Sequence, residues 1–329
     1  MTDIYISDAI HPDVLSEIKG LATVHYGYGP AKVNYMDVSP SIDAVILRTE
    51  TFTRDMIAAS PKLRIIARHG VGTDNVDLEA AAEHGVWVTS TPGANSNAVA
   101  EYVFALLLSA LRKVDQAVDQ VSRGVWAEAR AGLVGSELMS KTIGVVGYGA
   151  IGRRVASIAQ GFGMGVLVFD PVVSGEDVSS AGATLVEFDA LLAEADVVTL
   201  HLPLLPSTRH IIGQREFSLM KETAFVVNAS RGGLIDEVAL LDALDSRALA
   251  GAALDVLDAE NVSMKDPLAH NQLPVKILDK LIVTPHIAGQ TIESLLKTGT
   301  MSWAEVKSVL AGEKPRHAVN LGKIPQVQI

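Results

Sequence analysis

The sequence predicts an α/β protein built from two doubly wound parallel-sheet domains. The chain has 329 residues, and at about 150 residues per domain this length favours two domains. Short apolar, β-branched runs alternate with amphipathic stretches along the chain, which is the pattern of parallel strands covered by helices on both faces. A second series of such runs begins at Thr142, and a glycine-rich turn follows its first member.

Composition and charge exclude several classes of protein. Hydrophobic residues make up 48% of the chain and charged residues 20%, which is a globular composition and excludes a disordered chain. The formal net charge is −11, with 27 Lys and Arg against 38 Asp and Glu, and no basic cluster for a nucleic acid is present. The absence of cysteine excludes disulfides, thiolate catalysis and thiolate metal sites. We therefore expect a cytoplasmic protein without a metal, a signal peptide or a membrane span.

The first part of the chain contains four predicted strands separated by helical stretches. The strands are Ile4–Ser7, Ala44–Leu47, Leu63–Ala67 and Val86–Thr89, and the helices are Pro12–Lys19, Thr53–Ala58 and Leu78–His84. This part has no glycine-rich phosphate motif. A long apolar helix, Ala98–Val114, is predicted to lead out of the first domain.

The second series contains six predicted strands and a weaker seventh. The six are Ile143–Val146, Val166–Phe169, Val197–Leu200, Ala224–Val227, Gly251–Leu254 and Leu281–Thr284, and the weaker one is Ala183–Leu185. Six parallel strands are what a doubly wound dinucleotide-binding sheet requires. One further helical pattern, Thr291–Leu310, follows the last strand and has no strand after it.

The turn after the first strand of the second series has the spacing G-x-G-x-x-G. Gly147 permits a tight turn, Gly149 lets the backbone approach a pyrophosphate, and Gly152 lets the following helix pack closely on the strand. The helix that the turn opens is predicted to run to Gln160 and offers free N–H groups to phosphate at its start. The position between strand and helix makes this short motif specific for a dinucleotide.

The next strand ends at Asp170, 18 residues after Gly152. A carboxylate at this place accepts hydrogen bonds from both ribose hydroxyls of an adenosine. It repels a 2′-phosphate, and the residues that follow supply no arginine to compensate. The sequence therefore predicts NAD as the cofactor rather than NADP.

Polar residues then follow three later strands of the same predicted sheet. Arg231, the pair Asp255 and Glu260, and His286 each come just after a strand, at the edge where open α/β sheets bind ligands. Oxidation of a 2-hydroxy acid needs a base for the hydroxyl proton and a cation for the carboxylate. Histidine suits the first task and the forked donors of arginine suit the second. Together these residues predict hydride-transfer chemistry on a small hydroxy acid.

With these motifs the sequence resembles the D-isomer-specific 2-hydroxyacid dehydrogenases. The resemblance covers nearly the whole chain, and its segments occur in the family's order. They are HGVGTDNVD (69–77), TPGANSNAVAE (91–101), GVVGYGAIGRRVA (144–156), HLPLLPSTR (201–209), VNASRGGLIDE (227–237), GAALDVLDAE (251–260) and TPHIAG (284–289).

The resemblance implies a role for each candidate residue. Arg231 would hold the substrate, Glu260 would support the histidine, His286 would be the acid and base, and Asp255 would contact the nicotinamide carboxamide. Other residues would line the cofactor, mainly through their backbone; they are Ala150, Ile151, Leu202, Ala229 and Gly289.

The resemblance also implies how the chain is divided. A Rossmann NAD-binding domain, residues 98–286, would be inserted in a flavodoxin-like substrate domain formed by residues 1–97 and 287–329. Members of the family are usually homodimers joined through the NAD-binding domain. The segment Ser122–Ser140, which carries Trp126, is our candidate for the dimer arm.

Within the family, the motifs most resemble the 3-phosphoglycerate dehydrogenases. That branch places cations for a second anionic group where Arg48 and Arg68 stand, although both could equally be ordinary strand-end arginines. Backbone N–H groups of Val71 and Gly72 would bind the substrate carboxylate. Asn261 stands where the family usually has proline, and the stretch 261–280 is longer than usual, which weakens the case for phosphoglycerate.

Three alternatives therefore stay open beside a 3-phosphoglycerate-like substrate. The first is a hydroxypyruvate or glyoxylate reductase, and the second is a sulfolactate-type dehydrogenase whose second anion would use the same arginines. The third belongs to another class of protein, an NAD(H)-sensing transcriptional corepressor with the same fold. The sequence is consistent with each of these functions.

Overall fold

The structure is a computed structural model that describes residues 2–262, 267–270 and 280–320. The chain divides into two compact units, Met1–Asn95 with Gln290–Ile329 and, between them in sequence, Ser96–Gly289. Among the described residues, no helix is both long enough and apolar enough to span a membrane.

The first unit is built on a five-stranded parallel sheet. Its strands are β1 (Asp3–Ile6), β2 (Thr23–Tyr26), β3 (Ala44–Leu47), β4 (Ile65–Arg68) and β5 (Trp87–Thr89), and its first helices are α1 (Pro12–Leu21), α2 (Tyr35–Val38), α3 (Arg54–Ala58) and α4 (Leu78–Glu83). The strand order is β2-β1-β3-β4-β5, which is the flavodoxin-like order. The side chains of Thr53 and Asp77 accept hydrogen bonds from backbone amides at the starts of α3 and α4, so the cap residues fix where these helices begin.

Strand β2 is absent from the sequence prediction. Its one neighbouring strand in the sheet is β1, so it lies at the edge. Its residues are exposed or half-buried, whereas all four residues of β3 are buried. An edge strand needs no continuous apolar run, so the pattern that identified the other strands is missing here.

The second unit is built on a seven-stranded parallel sheet. Its helices α5 to α12 are Ser96–Arg112, Val114–Ser122, Ala129–Gly132, Ala150–Gly161, Gly175–Ser180, Phe188–Glu194, Gln214–Leu219 and Glu237–Asp245, and its strands β6 to β12 are Thr142–Val146, Gly165–Phe169, Thr184–Leu185, Val197–Leu200, Phe225–Asn228, Gly251–Leu254 and Leu281–Val283. The strand order is β12-β11-β10-β9-β6-β7-β8, which is a doubly wound dinucleotide-binding order with one strand added. The predicted fold class is confirmed.

Helix α5 ends earlier than its apolar pattern predicts. Lys113 adopts a left-handed conformation with φ of 53°, which stops the helix at Arg112 and starts α6 at Val114. Left-handed residues commonly end helices because they turn the chain away from the helix axis. The predicted helix Ala98–Val114 thus corresponds to α5, and α6 was not predicted.

The last helix, α13 (Ile292–Leu310), belongs to the first unit. Its Trp303 and Val306 are buried in one core cluster with residues of β1, β3 and β4. The Ser302 hydroxyl donates to the carbonyl of Arg68 at 3.3 Å. Helix α13 therefore packs on the first sheet.

The register of the second sheet brings the carboxyl ends of its strands together. Val146 pairs with Leu200, and Leu200 pairs with Asn228. Asn228 in turn pairs with Leu254, which pairs with Val283. The segments that follow these residues consequently emerge side by side at one edge of the sheet, where a doubly wound sheet binds its ligand.

Candidate active site

The glycine-rich turn lies between β6 and α8 and has the geometry of a phosphate cradle. Gly147 has a φ of +95°, a conformation that L side chains rarely adopt. A Cβ on Gly152 would collide with the carbonyl oxygen of Gly147, whereas a Cβ on Gly149 would meet nothing within 4 Å. Two glycines are thus required by the fold, and the third leaves open space beside the start of a helix. Ala150 and Ile151 form the first helical turn, where backbone N–H groups lack intrahelical acceptors. These residues fit the pyrophosphate of a dinucleotide.

Asp170 follows β7 beside this turn. Its Oδ2 accepts a hydrogen bond from the Tyr148 amide at 2.7 Å, and its Oδ1 accepts one from the Val172 amide at 2.9 Å. The carboxylate is therefore held in place by two backbone donors. This placement agrees with a ribose ligand at the end of the second strand of a dinucleotide sheet.

Asn228, at the end of β10, holds the loop that carries Arg231. Asn228 is fully buried, its Nδ2 donates to the Arg231 carbonyl at 2.8 Å, and its Oδ1 accepts from the Ser230 amide at 3.0 Å. The Ser230 hydroxyl donates to the carbonyl of Leu202 at 3.0 Å, which joins the loops after β9 and β10. Ala229 is buried in this loop. Sequence reasoning missed Asn228, although an amide side chain at the end of a buried strand was a usable signal.

Asp255, at the end of β11, organises the loop that carries His286. It is fully buried and accepts hydrogen bonds from the Thr284 hydroxyl at 2.7 Å and from the Ile287 and Ala288 amides at 2.9 and 2.8 Å. Burial raises the pKa of Asp255. The loop residue His286 has a φ of 54°, a left-handed conformation that is uncommon outside glycine. Gly289 ends this segment and is half-buried.

His286 and Glu260 form a hydrogen-bonded pair. The His286 Nδ1 lies 2.7 Å from Oε2 of Glu260, with side-chain exposures of 40% and 15%. The other carboxylate oxygen, Oε1, accepts from the Leu257 amide at 2.8 Å. Because an ionised carboxylate only accepts, the hydrogen of this pair belongs to Nδ1, and Nε2 of the neutral ring carries the lone pair. A histidine in this state can accept a proton at Nε2.

Two further side chains support the turn Asp258–Asn261, which carries Glu260. Arg209 donates through Nη2 to Oδ2 of Asp258 at 2.7 Å, and the Asp258 amide donates to Oε1 of Glu237 at 2.6 Å. Sequence reasoning found neither contact, because nothing in the local pattern joins residues so far apart. Positions 263–266 and 271–279 of the extended stretch 261–280 lie outside the described residues.

The remaining four candidate residues lie in the first unit. Arg48 follows β3, Arg68 ends β4, and Val71 and Gly72 lie in the segment after β4. The guanidinium of Arg48 donates to the Ala9 carbonyl at 3.2 Å. Arg68 donates through Nε to Oδ1 of Asn75 at 3.0 Å and through Nη1 to the carbonyls of Leu47 and His69 at 3.3 and 3.0 Å. Arg68 thus ties strand ends together within its own unit. The side chain of Val71 is 44% exposed.

Comparisons with known proteins show which family this chain is similar to. Residues 104–288 match the family model described as the NAD binding domain of D-isomer specific 2-hydroxyacid dehydrogenase. The chain is 40% identical to a D-3-phosphoglycerate dehydrogenase of Methanocaldococcus jannaschii over all of its own length and 61% of the relative. It is 38% identical to a glyoxylate reductase of Aeropyrum pernix over 83% of this chain and 81% of that one.

Solved structures of other proteins have a fold similar to that of this chain. A D-lactate dehydrogenase from Lactobacillus jensenii, determined with NAD+, superposes with a TM-score of 0.77 at 28% identity and covers 97% of this chain and 98% of that chain. The chain spans only 53% to 61% of the length of the phosphoglycerate dehydrogenases with which it was compared.

Proposed function

Because the chain belongs to the D-isomer-specific 2-hydroxyacid dehydrogenase family and carries its NAD-binding domain, we propose that it is an NAD-dependent oxidoreductase. It would interconvert a small (2R)-hydroxy acid and the corresponding 2-keto acid. The observation that carries this proposal is the pair of His286 and Glu260, joined at 2.7 Å. The pair stands at the same sheet edge as the Gly147–Gly152 turn.

The residues of the second unit divide the chemistry between them. NAD, when bound, supplies the carbon that accepts or gives the hydride. His286 takes the hydroxyl proton at Nε2 in oxidation and returns it to the keto oxygen in reduction. Glu260 keeps the ring oriented through Nδ1, and Arg231 binds the substrate carboxylate with its planar fork of donors. Asp255 would contact the nicotinamide carboxamide.

A 3-phosphoglycerate-like substrate is our first choice. The Methanocaldococcus relative supports it, and Arg48 is the residue we assign to the distal phosphate, with Arg68 beside it in the same role. Val71 and Gly72 would donate backbone N–H groups to the substrate carboxylate. Replacing Arg48 with Ala should weaken the binding of 3-phosphohydroxypyruvate more than tenfold, since a charged hydrogen bond contributes roughly 1.5–3 kcal/mol. The binding of glyoxylate, which has no distal anion, should not change.

Glyoxylate or hydroxypyruvate reduction is the second candidate. The Aeropyrum glyoxylate reductase matches over most of both chains, and the internal hydrogen bonds of Arg68 reduce its capacity to bind a second anion. An NADH absorbance assay with 3-phosphohydroxypyruvate, hydroxypyruvate, glyoxylate and sulfopyruvate separates these candidates and the sulfolactate type by kcat/KM. A chain that binds NADH but reduces none of the four would instead favour the corepressor.

A preference for NAD over NADP is part of the proposal. Asp170 presents a carboxylate that would repel a 2′-phosphate. We expect NADH to be preferred at least tenfold in kcat/KM, about 1.4 kcal/mol. Equal efficiency with the two cofactors would refute the role of Asp170.

We further propose that the protein is a homodimer joined through its NAD-binding domain. One face of α6 exposes Val114, Val118 and Val121, which are 49%, 65% and 51% exposed, and Trp126 in the nearby segment Ser122–Ser140 is 72% exposed. Apolar side chains clustered on one helix face mark interaction surfaces. Val118→Asp should yield a monomer in sedimentation velocity, whereas Val238→Asp, at an equally exposed valine of α12, should leave the dimer intact.

The cytoplasmic location stays a prediction from the cysteine-free composition. The test is fractionation of the source cells followed by immunodetection of the chain. Recovery in a membrane or secreted fraction would contradict it.

A further inference from the structure

Two successive hydrogen bonds tie the phosphate turn to the neighbouring strand β7. The Gly147 amide donates to the Phe169 carbonyl at 2.8 Å, and the Tyr148 amide donates to Oδ2 of Asp170 at 2.7 Å. The first bond joins two backbone groups and uses no side chain. The second depends on the side chain at position 170.

Tyr148 is buried, and its amide relies on the Asp170 carboxylate as its hydrogen-bond acceptor. The residue is 1% exposed, so in the folded protein the Asp170 carboxylate, and not bulk water, satisfies this amide. The Tyr148 ring belongs to the core of the second unit, and the Arg153 guanidinium carbon lies 4.6 Å from the ring centroid. Residue 148 stands between two glycines, whose backbones are the most flexible of all. The turn therefore depends on contacts such as this one to keep a single shape.

The Asp170 carboxylate has enough acceptor capacity for two tasks. A carboxylate offers about four lone-pair sites. Tyr148 and Val172 amides occupy one site on each oxygen. One site per oxygen remains, which matches the two vicinal hydroxyls of a ribose.

We propose that Asp170 is a positioning residue for the phosphate turn in addition to a ligand of the adenosine ribose. This inference rests on the proposed function in assuming that the turn binds NAD. It has a consequence for cofactor choice: removing the carboxylate to admit a 2′-phosphate also releases the Tyr148 amide. Asp170→Ala should therefore lose NADH affinity without gaining affinity for NADPH.

The decisive test uses a cofactor that lacks the ribose hydroxyls. NADH and its 2′,3′-dideoxyadenosine analogue are titrated by fluorescence into the wild type, Asp170→Ala and Asp170→Asn. If Asp170 acted only on the hydroxyls, all three proteins would bind the analogue equally. We expect Asp170→Ala to bind the analogue about tenfold or more weakly than the wild type, the size of a lost charged hydrogen bond. Asp170→Asn, which keeps one acceptor oxygen, should fall between them.

Asp196 provides a matched control in the same sheet. Its Oδ2 accepts from the Thr142 amide at 2.8 Å, at the opposite end of β6 from the phosphate turn. Asp196→Asn makes the same kind of change away from the cofactor. It should bind both NADH and the analogue as the wild type does.

Hydrogen exchange without any cofactor gives a second readout. The Tyr148 amide should be protected in the wild type and should exchange at least tenfold faster in Asp170→Ala and to a lesser degree in Asp170→Asn, while thermal melting verifies that each variant is folded. Equal analogue affinity in the wild type and Asp170→Ala, or unchanged Tyr148 exchange, would overturn the inference. A wild type that binds neither ligand would contradict the proposed function instead, and the exchange comparison would still decide the role of Asp170.

Discussion

Replacing Glu260 with Gln tests the centre of the proposed mechanism. In the wild type, one carboxylate oxygen accepts from the Leu257 amide at 2.8 Å and the other lies 2.7 Å from Nδ1 of His286. Glutamine has a single acceptor oxygen. The Leu257 amide is a fixed donor, so that oxygen should turn toward it and leave the NH2 group facing Nδ1. The ring must then carry its hydrogen on Nε2, which is the wrong tautomer for accepting a substrate proton.

The size of the effect follows from the bond that is lost. A hydrogen bond to a charged group contributes about 1.5–3 kcal/mol, and about 1.4 kcal/mol corresponds to tenfold. His286 is 40% exposed, and solvent screens such a pair. We therefore expect the lower half of this range, a loss of about 12- to 40-fold in kcat/KM.

The assay is NADH absorbance in both directions at one pH, with an NADH fluorescence titration. Both directions must lose the same factor in kcat/KM, because an enzyme variant cannot change the equilibrium constant of the reaction. NADH affinity should stay within about twofold, since the hydrogen bonds of Glu260 go to the Leu257 amide and His286 and not to the phosphate turn.

Glu237→Gln is the matched control. Its Oε1 accepts from the Asp258 amide in the same turn, and glutamine keeps an acceptor for that bond. This variant should retain nearly full activity. The reasoning is refuted if Glu260→Gln keeps wild-type kcat/KM, or if both glutamine variants lose activity equally.

Three further predictions follow from the described contacts. Gly149→Ala should weaken NADH binding without changing the melting temperature, because the added Cβ enters the open space proposed for the pyrophosphate and touches no protein atom. Gly152→Ala should lower the melting temperature, because its Cβ collides with the Gly147 carbonyl. Fluorescence titration measures the first effect and thermal melting the second. Arg231→Lys should raise KM for the keto acid at least tenfold, which corresponds to a loss of about 1.4 kcal/mol in carboxylate binding, and unchanged KM would contradict its role. Burial, with a smaller contribution from nearby arginine, lowers the pKa of His69 to about 4. In the unfolded chain the histidine pKa is about 6.5, so between about pH 6.5 and about pH 4 the unfolded chain binds more protons than the folded protein. The free energy of unfolding should therefore fall as the pH decreases, by up to about 1.4 kcal/mol per pH unit. Between pH 7.5 and 4.5, the melting temperature of His69→Gln should depend less on pH than that of the wild type. An equal pH dependence in both proteins would show that His69 is not the cause.

Most strands could be predicted because burial leaves a local trace in the sequence. All residues of β3 and β9 are buried, and both strands were found from their apolar runs. Strand β2 was missed because its edge position leaves its residues exposed or half-buried. Helix α6 was missed because its start directly after α5 depends on the left-handed conformation of Lys113, which this residue type does not signal.

The sequence by itself determined the fold class, the phosphate turn and the residue types of the candidate site. These follow from local patterns, since apolar periodicity marks strands and helices and the functional residues stand directly after strand ends. The tertiary structure alone decided which atoms meet. Glu260 and His286 are 26 positions apart, and Tyr148 and Asp170 are 22 apart, so their hydrogen bonds exist only because parallel pairing sets neighbouring strand ends in register. The internal bonds of Arg68 were equally hidden, because a side chain finds its partners only when the chain around it has folded.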